Sequence, residues 1–89
     1  MTSSFRAQLR SQANSLEPII HIGKDGITDA VLKQADDALT ARELIKGTVL
    51  KNCDFTAKEA LNILCEKLNA HGVQAIGRKF TLYRENPDK

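Results

Sequence analysis

Residues 18–29 are Pro-Ile-Ile-His-Ile-Gly-Lys-Asp-Gly-Ile-Thr-Asp, and their order predicts a strand, a tight loop and the start of a helix. The β-branched run at 19–22 predicts a short strand, and the proline before it ends any preceding helix. Two glycines then enclose two polar residues, which is typical of a tight loop. Thr28 and Asp29 predict the start of a helix, because a threonine hydroxyl caps the first turn and the helix dipole favours an anion there.

Two helices flank this stretch, each predicted by apolar side chains that recur at helical spacing. The first covers residues 4–16, with Ser3 or Ser4 as its cap. The second begins after Thr28. Their inward-facing residues are Phe5, Leu9, Ala13 and Leu16 in the first, and Ile27, Val31, Ala35 and Leu39 in the second.

A third helix and three more strands follow. Thr56 and Glu59 have the three-residue spacing of a capping box, and we expect their helix to end at His71-Gly72, with glycine just past the end. Its inward-facing residues are Ala57, Ala60, Leu61, Leu64 and Leu68. The remaining strands are predicted at 44–50, 73–76 and 80–83, the last two joined by a hairpin through Gly77-Arg78-Lys79.

The element order is therefore α-β-α-β-α-β-β. Strands separated by helices favour right-handed crossovers and parallel pairing, whereas the final hairpin adds an antiparallel edge. We predict an α/β fold, a two-layer sandwich with a four-stranded mixed sheet.

Length and composition fit one globular domain. The chain has 89 residues and a mass of 9.8 kDa, so we expect a single domain at 1–89, with its core at about 4–84 and a loose tail at 85–89. The longest apolar runs are too short to span a bilayer, which predicts no membrane partner. Residues 1–16 lack the apolar stretch of a secretion signal, and we therefore expect a cytoplasmic protein.

The net charge is only +2, but it is unevenly distributed. Residues 1–24 and 73–89 each carry a net charge of +2, whereas residues 28–43 carry −2. Positive charge predominates in the predicted strands, and negative charge predominates in two of the predicted helices. Such an asymmetry suits a polyanionic partner on one side of the molecule.

The glycine loop is the first candidate site. Its residues are Gly23, Lys24, Asp25 and Gly26. Glycines let a ligand approach the backbone, and the loop leads into a helix N-terminus, where free N–H groups and the dipole attract anions. Lys24 adds a cation and Asp25 opposes it. The loop predicts a cradle for a phosphate, and a simple turn is the alternative interpretation.

A basic set is the second candidate. Lysines and arginines at a hairpin tip and along a strand are free to reach phosphates, but lysines also protect a solvated edge strand from aggregation. The set comprises Lys46, Lys51, Arg78, Lys79 and Arg84.

Catalytic and metal sites are not predicted. His21 beside the loop could act as a base oriented by Asp29, but no nucleophile accompanies them, and we expect His21 to be a half-buried strand residue. Cys53 and Cys65 are too few and too far apart for a zinc site, so we expect no metal and no cofactor. Their spacing permits a disulfide, but two reduced thiols are expected because proteins without a secretion signal rarely form disulfides.

Several spaced motifs, in order across residues 4–84, resemble the CRM domain, whose single-domain form is found in bacterial YhbY-like proteins. The matching segments are Pro18 to Thr28, Val31-Leu32, Glu43-Leu44-Ile45-Lys46, Gly72-Val73-Gln74-Ala75-Ile76-Gly77-Arg78 and Leu82-Tyr83-Arg84.

This resemblance implies a non-catalytic RNA-binding module with a fold similar to the C-terminal domain of translation initiation factor 3. It also implies binding to ribosomal RNA in precursors of the large ribosomal subunit. The family's two-glycine loop falls on 23–26, and its basic strand residue falls on Lys46. The sequence departs from the family at Gly47 and Thr48, where a β-branched residue and a second cation are usual, so we expect weaker RNA contact along that strand.

The predicted partner is thus RNA. The alternatives are a basic adaptor that binds an acidic protein, and an enzyme that uses the loop to hold phosphate esters. The predicted RNA-binding residues are Gly23, Lys24, Asp25, Gly26, Lys46, Arg78, Lys79, Arg84, Arg6 and Arg10.

Overall fold

The computed structural model describes residues 2–85 and has the predicted element order. Its elements are α1 (Ser3–Ala13), β1 (Ile20–Ile22), α2 (Asp29–Arg42), β2 (Leu44–Val49), α3 (Ala57–Leu68), β3 (His71–Ile76) and β4 (Lys79–Tyr83). The α/β class with a four-stranded mixed sheet is confirmed. Of the predicted tail, residues 86–89 lie outside the described residues, as does Met1.

The strand order in the sheet is β1-β2-β4-β3. β1 and β2 are parallel, because α2 carries the chain back between them, and β4 runs antiparallel to both β2 and β3. The carboxyl ends of β1 and β2 therefore meet at one end of the sheet. The turn of the β3–β4 hairpin lies at that same end.

The predicted N-terminal caps of α2 and α3 both form as expected. The Thr28 hydroxyl accepts a hydrogen bond from the Val31 N–H at 3.2 Å. Thr56 accepts from the Glu59 N–H at 3.2 Å, and the Glu59 carboxylate accepts from the Thr56 N–H at 3.1 Å. These two bonds confirm the capping box. It could be predicted from sequence because its groups are neighbours in the chain and need no tertiary partner.

Two other helix ends differ from the prediction. The cap of α1 is Thr2, not Ser3 or Ser4. The end of α3 is set by Asn69, whose left-handed backbone has φ 55°. Asparagine adopts this conformation more readily than most residues, so the helix stops before His71-Gly72, which instead begin β3.

The main core lies between the sheet and helices α2 and α3. The sheet is one of the two predicted layers, and this pair of helices is the other. Gly47 lets the Phe80 ring pack directly against the backbone of β2, because a Cβ atom at this position would lie 2.4 Å from Phe80 Cζ. The buried hydrophobic residues of this core are Ile20, Ile22, Ala35, Leu39, Ile45, Val49, Ala57, Ala60, Leu61, Leu64, Phe80 and Leu82.

Helix α1 covers part of the opposite face of the sheet. Ile45 points into the main core, so its neighbour Lys46 points to the other face, where its Nζ donates to the Ala13 carbonyl at 3.3 Å. Leu9 and Ala13 are buried here. The helix ends at Ala13, three residues before the predicted end. It leaves much of that face to the strands.

We call this side of the molecule the α1 face. It consists of α1 and the strand side chains that point the same way as Lys46. By strand register, those side chains are His21, Leu44, Lys46, Thr48, His71, Gln74, Ile76, Lys79, Thr81 and Tyr83. No helix within residues 2–85 combines the length and apolarity needed to cross a bilayer.

Candidate nucleic-acid interface

Three connections lie side by side where β1 and β2 end. The Leu50 N–H donates to the Ile22 carbonyl at 2.8 Å, which joins the connections that follow β1 and β2. The Val49 N–H donates to the Arg78 carbonyl at 2.8 Å, which joins the hairpin turn to β2. We call this region the loop end. It consists of residues 23–28, 50–56 and 77–78.

The glycine loop is a tight turn, as predicted. The Gly26 N–H donates to the Gly23 carbonyl at 3.0 Å, and the exposed Lys24 and Asp25 form the corners. The chain then runs through Thr28 into α2, so the positive end of that helix dipole faces the loop. The structure thus shows a turn in front of a helix N-terminus, and its use as a phosphate cradle remains a prediction.

The two glycines of this loop differ in what the fold requires of them. Gly26 has φ 73°, and a Cβ atom there would lie 2.9 Å from Phe55 Cε2, so backbone and packing both demand glycine. At Gly23 the nearest atom to such a Cβ is Leu50 Cδ1, at an ordinary 3.6 Å. The packing around Gly23 would therefore accept an alanine.

Cations from all three connections meet at the loop end. Lys24, Lys51 and Arg78 are exposed, one in each connection. Lys51 belongs to the basic set but was not among the predicted RNA-binding residues. Its place here follows from the parallel pairing of β1 and β2, which the sequence alone did not fix. Asp25 and Asp54 are also exposed here, so this region carries mixed charge.

The excess of positive charge lies beyond the loop end, on the α1 face. Arg6 and Arg10 are exposed on α1, Lys79 is exposed at the start of β4, and Lys46 lies on β2. Neither α1 nor the strand side chains of the α1 face include an aspartate or glutamate. On the other side of the sheet, α2 carries Asp29, Asp36 and Asp37 against Lys33 and Arg42, a net charge of −1, and the two acids and two bases of α3 cancel. The charge is polarised across the sheet.

Lys46 is half-buried beneath the end of α1. Its bond to the Ala13 carbonyl places an ammonium group at the negative end of the helix dipole. An ammonium has three N–H donors, and this bond uses one of them. Lys46 thus helps to hold α1 while its charge stays on the α1 face.

Arg84 lies apart from the other predicted site residues. Its Nη1 donates to Asp36 Oδ1 at 2.7 Å and to the Leu68 carbonyl at 3.0 Å. Its Nη2 donates to the Asp36 carbonyl at 3.1 Å and to Thr40 Oγ1 at 3.0 Å. The guanidinium joins the end of β4 to α2 and α3, far along the sheet from the hairpin turn. Its structural role is that of a clamp.

His21 lies in β1 and Asp29 at the start of α2. His21 is exposed on the α1 face, so the expectation that it is half-buried was wrong. Cys53 and Cys65 are free thiols, and burial raises the pKa of the Cys65 thiol. Within residues 2–85 no three side chains of histidine, cysteine, aspartate or glutamate lie close enough together to hold a metal ion.

Comparison with known proteins gives one consistent result. Residues 1–84 match the family model of the CRS1/YhbY (CRM) domain. The chain is 39% identical over 88 residues to the Bacillus subtilis (strain 168) protein named "Probable RNA-binding protein YqeI", covering 99% of this chain and 92% of that protein. It is 32% identical over 80 residues to a Haemophilus influenzae protein named "RNA-binding protein", covering 90% and 81%.

The same similarity appears in three dimensions. The solution structure of the hypothetical protein SAV1595 from Staphylococcus aureus superposes with a TM-score of 0.72 at 40% sequence identity. The match covers 96% of this chain and 88% of that one.

Proposed function

The chain belongs to the CRS1/YhbY (CRM) domain family, and we propose that it is a non-catalytic protein that binds RNA through the loop end and the α1 face. The observation that carries this proposal is the one-sided charge. Arg6, Arg10, Lys46 and Lys79 lie on the α1 face, whose own side chains include no acid and which Glu17 and Glu85 border at its edges. Relatives with similar sequences are named as RNA-binding proteins.

The first contact in this proposal is made by the glycine loop. A phosphate at the loop meets backbone N–H groups and the N-terminus of α2, while Lys24 and Arg78 supply mobile positive charge. Asp25 lies in the same turn, and its negative charge opposes an anion there. Backbone capture of this kind needs no particular base.

The RNA then continues past the hairpin onto the α1 face. Lys79 connects the two regions, Lys46 follows along the sheet, and Arg6 and Arg10 extend the track along α1. Arg84 is left out of this track because its guanidinium is held by the α2 and α3 contacts.

Stacking on aromatic rings contributes little in this proposal. Phe80 is buried in the core, Phe55 packs at Gly26, and Phe5 packs edge-on against Tyr83 with ring centroids 5.3 Å apart. Recognition by shape and backbone is therefore favoured over the stacking of successive bases.

The RNA that we propose is ribosomal RNA in precursors of the large ribosomal subunit, bound in the cytoplasm. The resemblance to the CRM family supports this choice. Crosslinking in cells, followed by sequencing of the attached RNA, tests it. A discrete region of large-subunit ribosomal RNA is the expected result, and crosslinks scattered over messenger RNA would contradict it.

Direct binding is tested by titrating a labelled single-stranded RNA at several salt concentrations. If each of the six cations of this track contacts one phosphate, log K falls with log salt with a slope of roughly −4.2. The Lys24→Ala/Arg78→Ala variant removes two contacts, so its slope is expected to be roughly −2.8. The Lys33→Ala/Lys67→Ala variant is the matched control, because it removes the same charge from exposed positions of α2 and α3.

Binding that does not depend on salt, or equal losses in the two double variants, would overturn the proposal. An acidic protein is the alternative partner for the same basic surface. A pull-down treated with nuclease separates the two, since a directly bound protein survives the treatment and an RNA-bridged one is lost.

A further inference from the structure

A small cavity opens on the α1 face between the end of α1 and the sheet. Its accessible volume is about 180 Å³, and it is lined by Asn14, Lys46, Gln74, Ile76, Lys79 and Thr81. Two of these side chains are ammonium groups, three are neutral and polar, and none is acidic. Such a lining combines attraction for an anion with groups that both donate and accept hydrogen bonds.

Thr81 is the buried polar residue of this cavity. Its exposed fraction is 1%, and within residues 2–85 its Oγ1 has no hydrogen-bond partner. A buried hydroxyl without a partner destabilises the fold, so its retention calls for an explanation. Valine would fill the same space in the strand and would leave no polar group to satisfy.

The neighbours of Thr81 are fixed by the sheet. On one side it pairs with Lys46 of β2, and on the other it pairs with Gln74 of β3. These are long side chains with rotatable bonds, and they line the same cavity as Thr81 on the same face of the sheet. A ligand in the cavity reaches the buried hydroxyl if these side chains move aside.

The size of the cavity limits what can fill it. Pockets for whole cofactors and drug-sized ligands occupy about 300–1,000 Å³, which exceeds this volume. A single group of a larger ligand fits, with the rest of that ligand lying outside along the α1 face. Lys79 borders both this cavity and the hairpin turn, so the cavity is continuous with the loop end.

We propose that this cavity binds the ribose and phosphate of one RNA nucleotide, with the Thr81 hydroxyl hydrogen-bonded to the ribose 2′-hydroxyl. This inference rests on the proposed function. Lys46 and Lys79, which only donate, match the phosphate oxygens. Thr81 and the amides of Gln74 and Asn14, which donate and accept, match a hydroxyl. The 2′-hydroxyl is the group by which a protein distinguishes RNA from DNA, so this cavity sets that preference.

The test compares two probes, a single-stranded RNA of mixed sequence and the DNA of the same sequence and length. Thr81→Val removes the hydroxyl and keeps the shape, and Thr81→Ser keeps the hydroxyl. We expect Thr81→Val to bind RNA about fivefold more weakly than the native protein, as the loss of one hydrogen bond implies, while its DNA affinity stays unchanged. Thr81→Ser is expected to retain the native preference for RNA.

Thermal unfolding provides the folding control, and we expect the midpoint of Thr81→Val not to fall, because no hydrogen bond of the fold is lost. Unchanged RNA affinity in Thr81→Val would overturn the inference, and so would an equal loss on RNA and DNA. In either case the proposed function would still hold if the native protein binds RNA in a salt-dependent way and the Lys24→Ala/Arg78→Ala variant shows a smaller salt dependence. Failure of the native protein to bind RNA would overturn both.

Discussion

The Arg84 guanidinium lies 2.7 Å from the Asp36 carboxylate and also donates to the backbone carbonyls of Asp36 and Leu68. Arg84 belongs to the basic set defined from the sequence, but in the structure its side chain joins β4 to α2 and α3. The planar, forked geometry of the guanidinium suits this task, since one side chain reaches several acceptors.

Replacing Arg84 should therefore change stability and leave RNA binding intact. We expect Arg84→Ala to lower the free energy of unfolding by roughly 1–2 kcal/mol, because partly exposed pairs contribute modestly and two helix carbonyls lose a charged donor. Arg84→Lys should recover little of this loss, since an ammonium cannot span the same acceptors. Urea unfolding measures the stability, and an RNA titration on the folded variant should match the native one. Weaker RNA binding in both variants would place Arg84 in the interface after all.

Gly47 and Phe80 depend on one another in the core. A Cβ atom at Gly47 would lie 2.4 Å from the ring, so Gly47→Ala is expected to destabilise the fold by about 1–3 kcal/mol. Phe80→Leu removes the ring that causes the clash. The double variant should therefore lose less stability than the two single variants added together. Additive losses, measured by urea unfolding, would contradict a direct clash.

The two glycines of the loop should respond differently to alanine. Gly26→Ala forces a left-handed conformation and a clash with Phe55, and we expect a loss of more than about 1 kcal/mol. Gly23→Ala meets only ordinary contacts, so the free energy of unfolding should stay the same or rise by up to about 1 kcal/mol. Thermal unfolding of both variants measures the difference. A large loss in Gly23→Ala would mean that the turn needs glycine at both ends.

Burial raises the pKa of the Cys65 thiol, which predicts a dependence on alkaline pH. Below the pKa of the unfolded thiol both states are protonated, and stability does not change. As the pH rises towards the higher folded pKa, the unfolded state loses its proton first, so the free energy of unfolding falls. Urea unfolding between neutral pH and about pH 10 should show a smaller fall in Cys65→Ala than in the native protein. An identical fall in both would show that other groups cause it.

The sequence predicted best those features that depend on neighbouring residues. Thr28, Thr56 and Glu59 cap their helices as expected, because each cap needs only groups within three residues. The end of α3 was misplaced because glycine was preferred over Asn69 as the left-handed residue. Both types can adopt that conformation, and the local sequence does not say which one does.

Features that depend on contacts distant in sequence were not predictable in the same way. The Arg84 contacts with Asp36 and Thr40 span more than 40 positions in the chain, so nothing local marks Arg84 as a clamp. Lys51 joins Lys24 only through the pairing of β1 with β2. Thr81 carries no signal in the sequence, because its importance lies in being buried without a partner on a basic face.

The position of α1 gives the last prediction, because it puts Arg6 and Arg10 on the same face as Lys46 and Lys79. If the RNA track covers α1, Arg6→Gln/Arg10→Gln should weaken RNA binding and reduce the salt slope by roughly 1.4, which corresponds to two phosphates on a single strand. Glutamine is nearly as good a helix former as arginine, so α1 should keep its structure, which circular dichroism checks. Lys33→Gln/Lys67→Gln removes the same charge from α2 and α3 and should leave the slope unchanged. Equal reductions in the two variants would mean that the RNA responds to net charge alone and that the polarity across the sheet does not direct it.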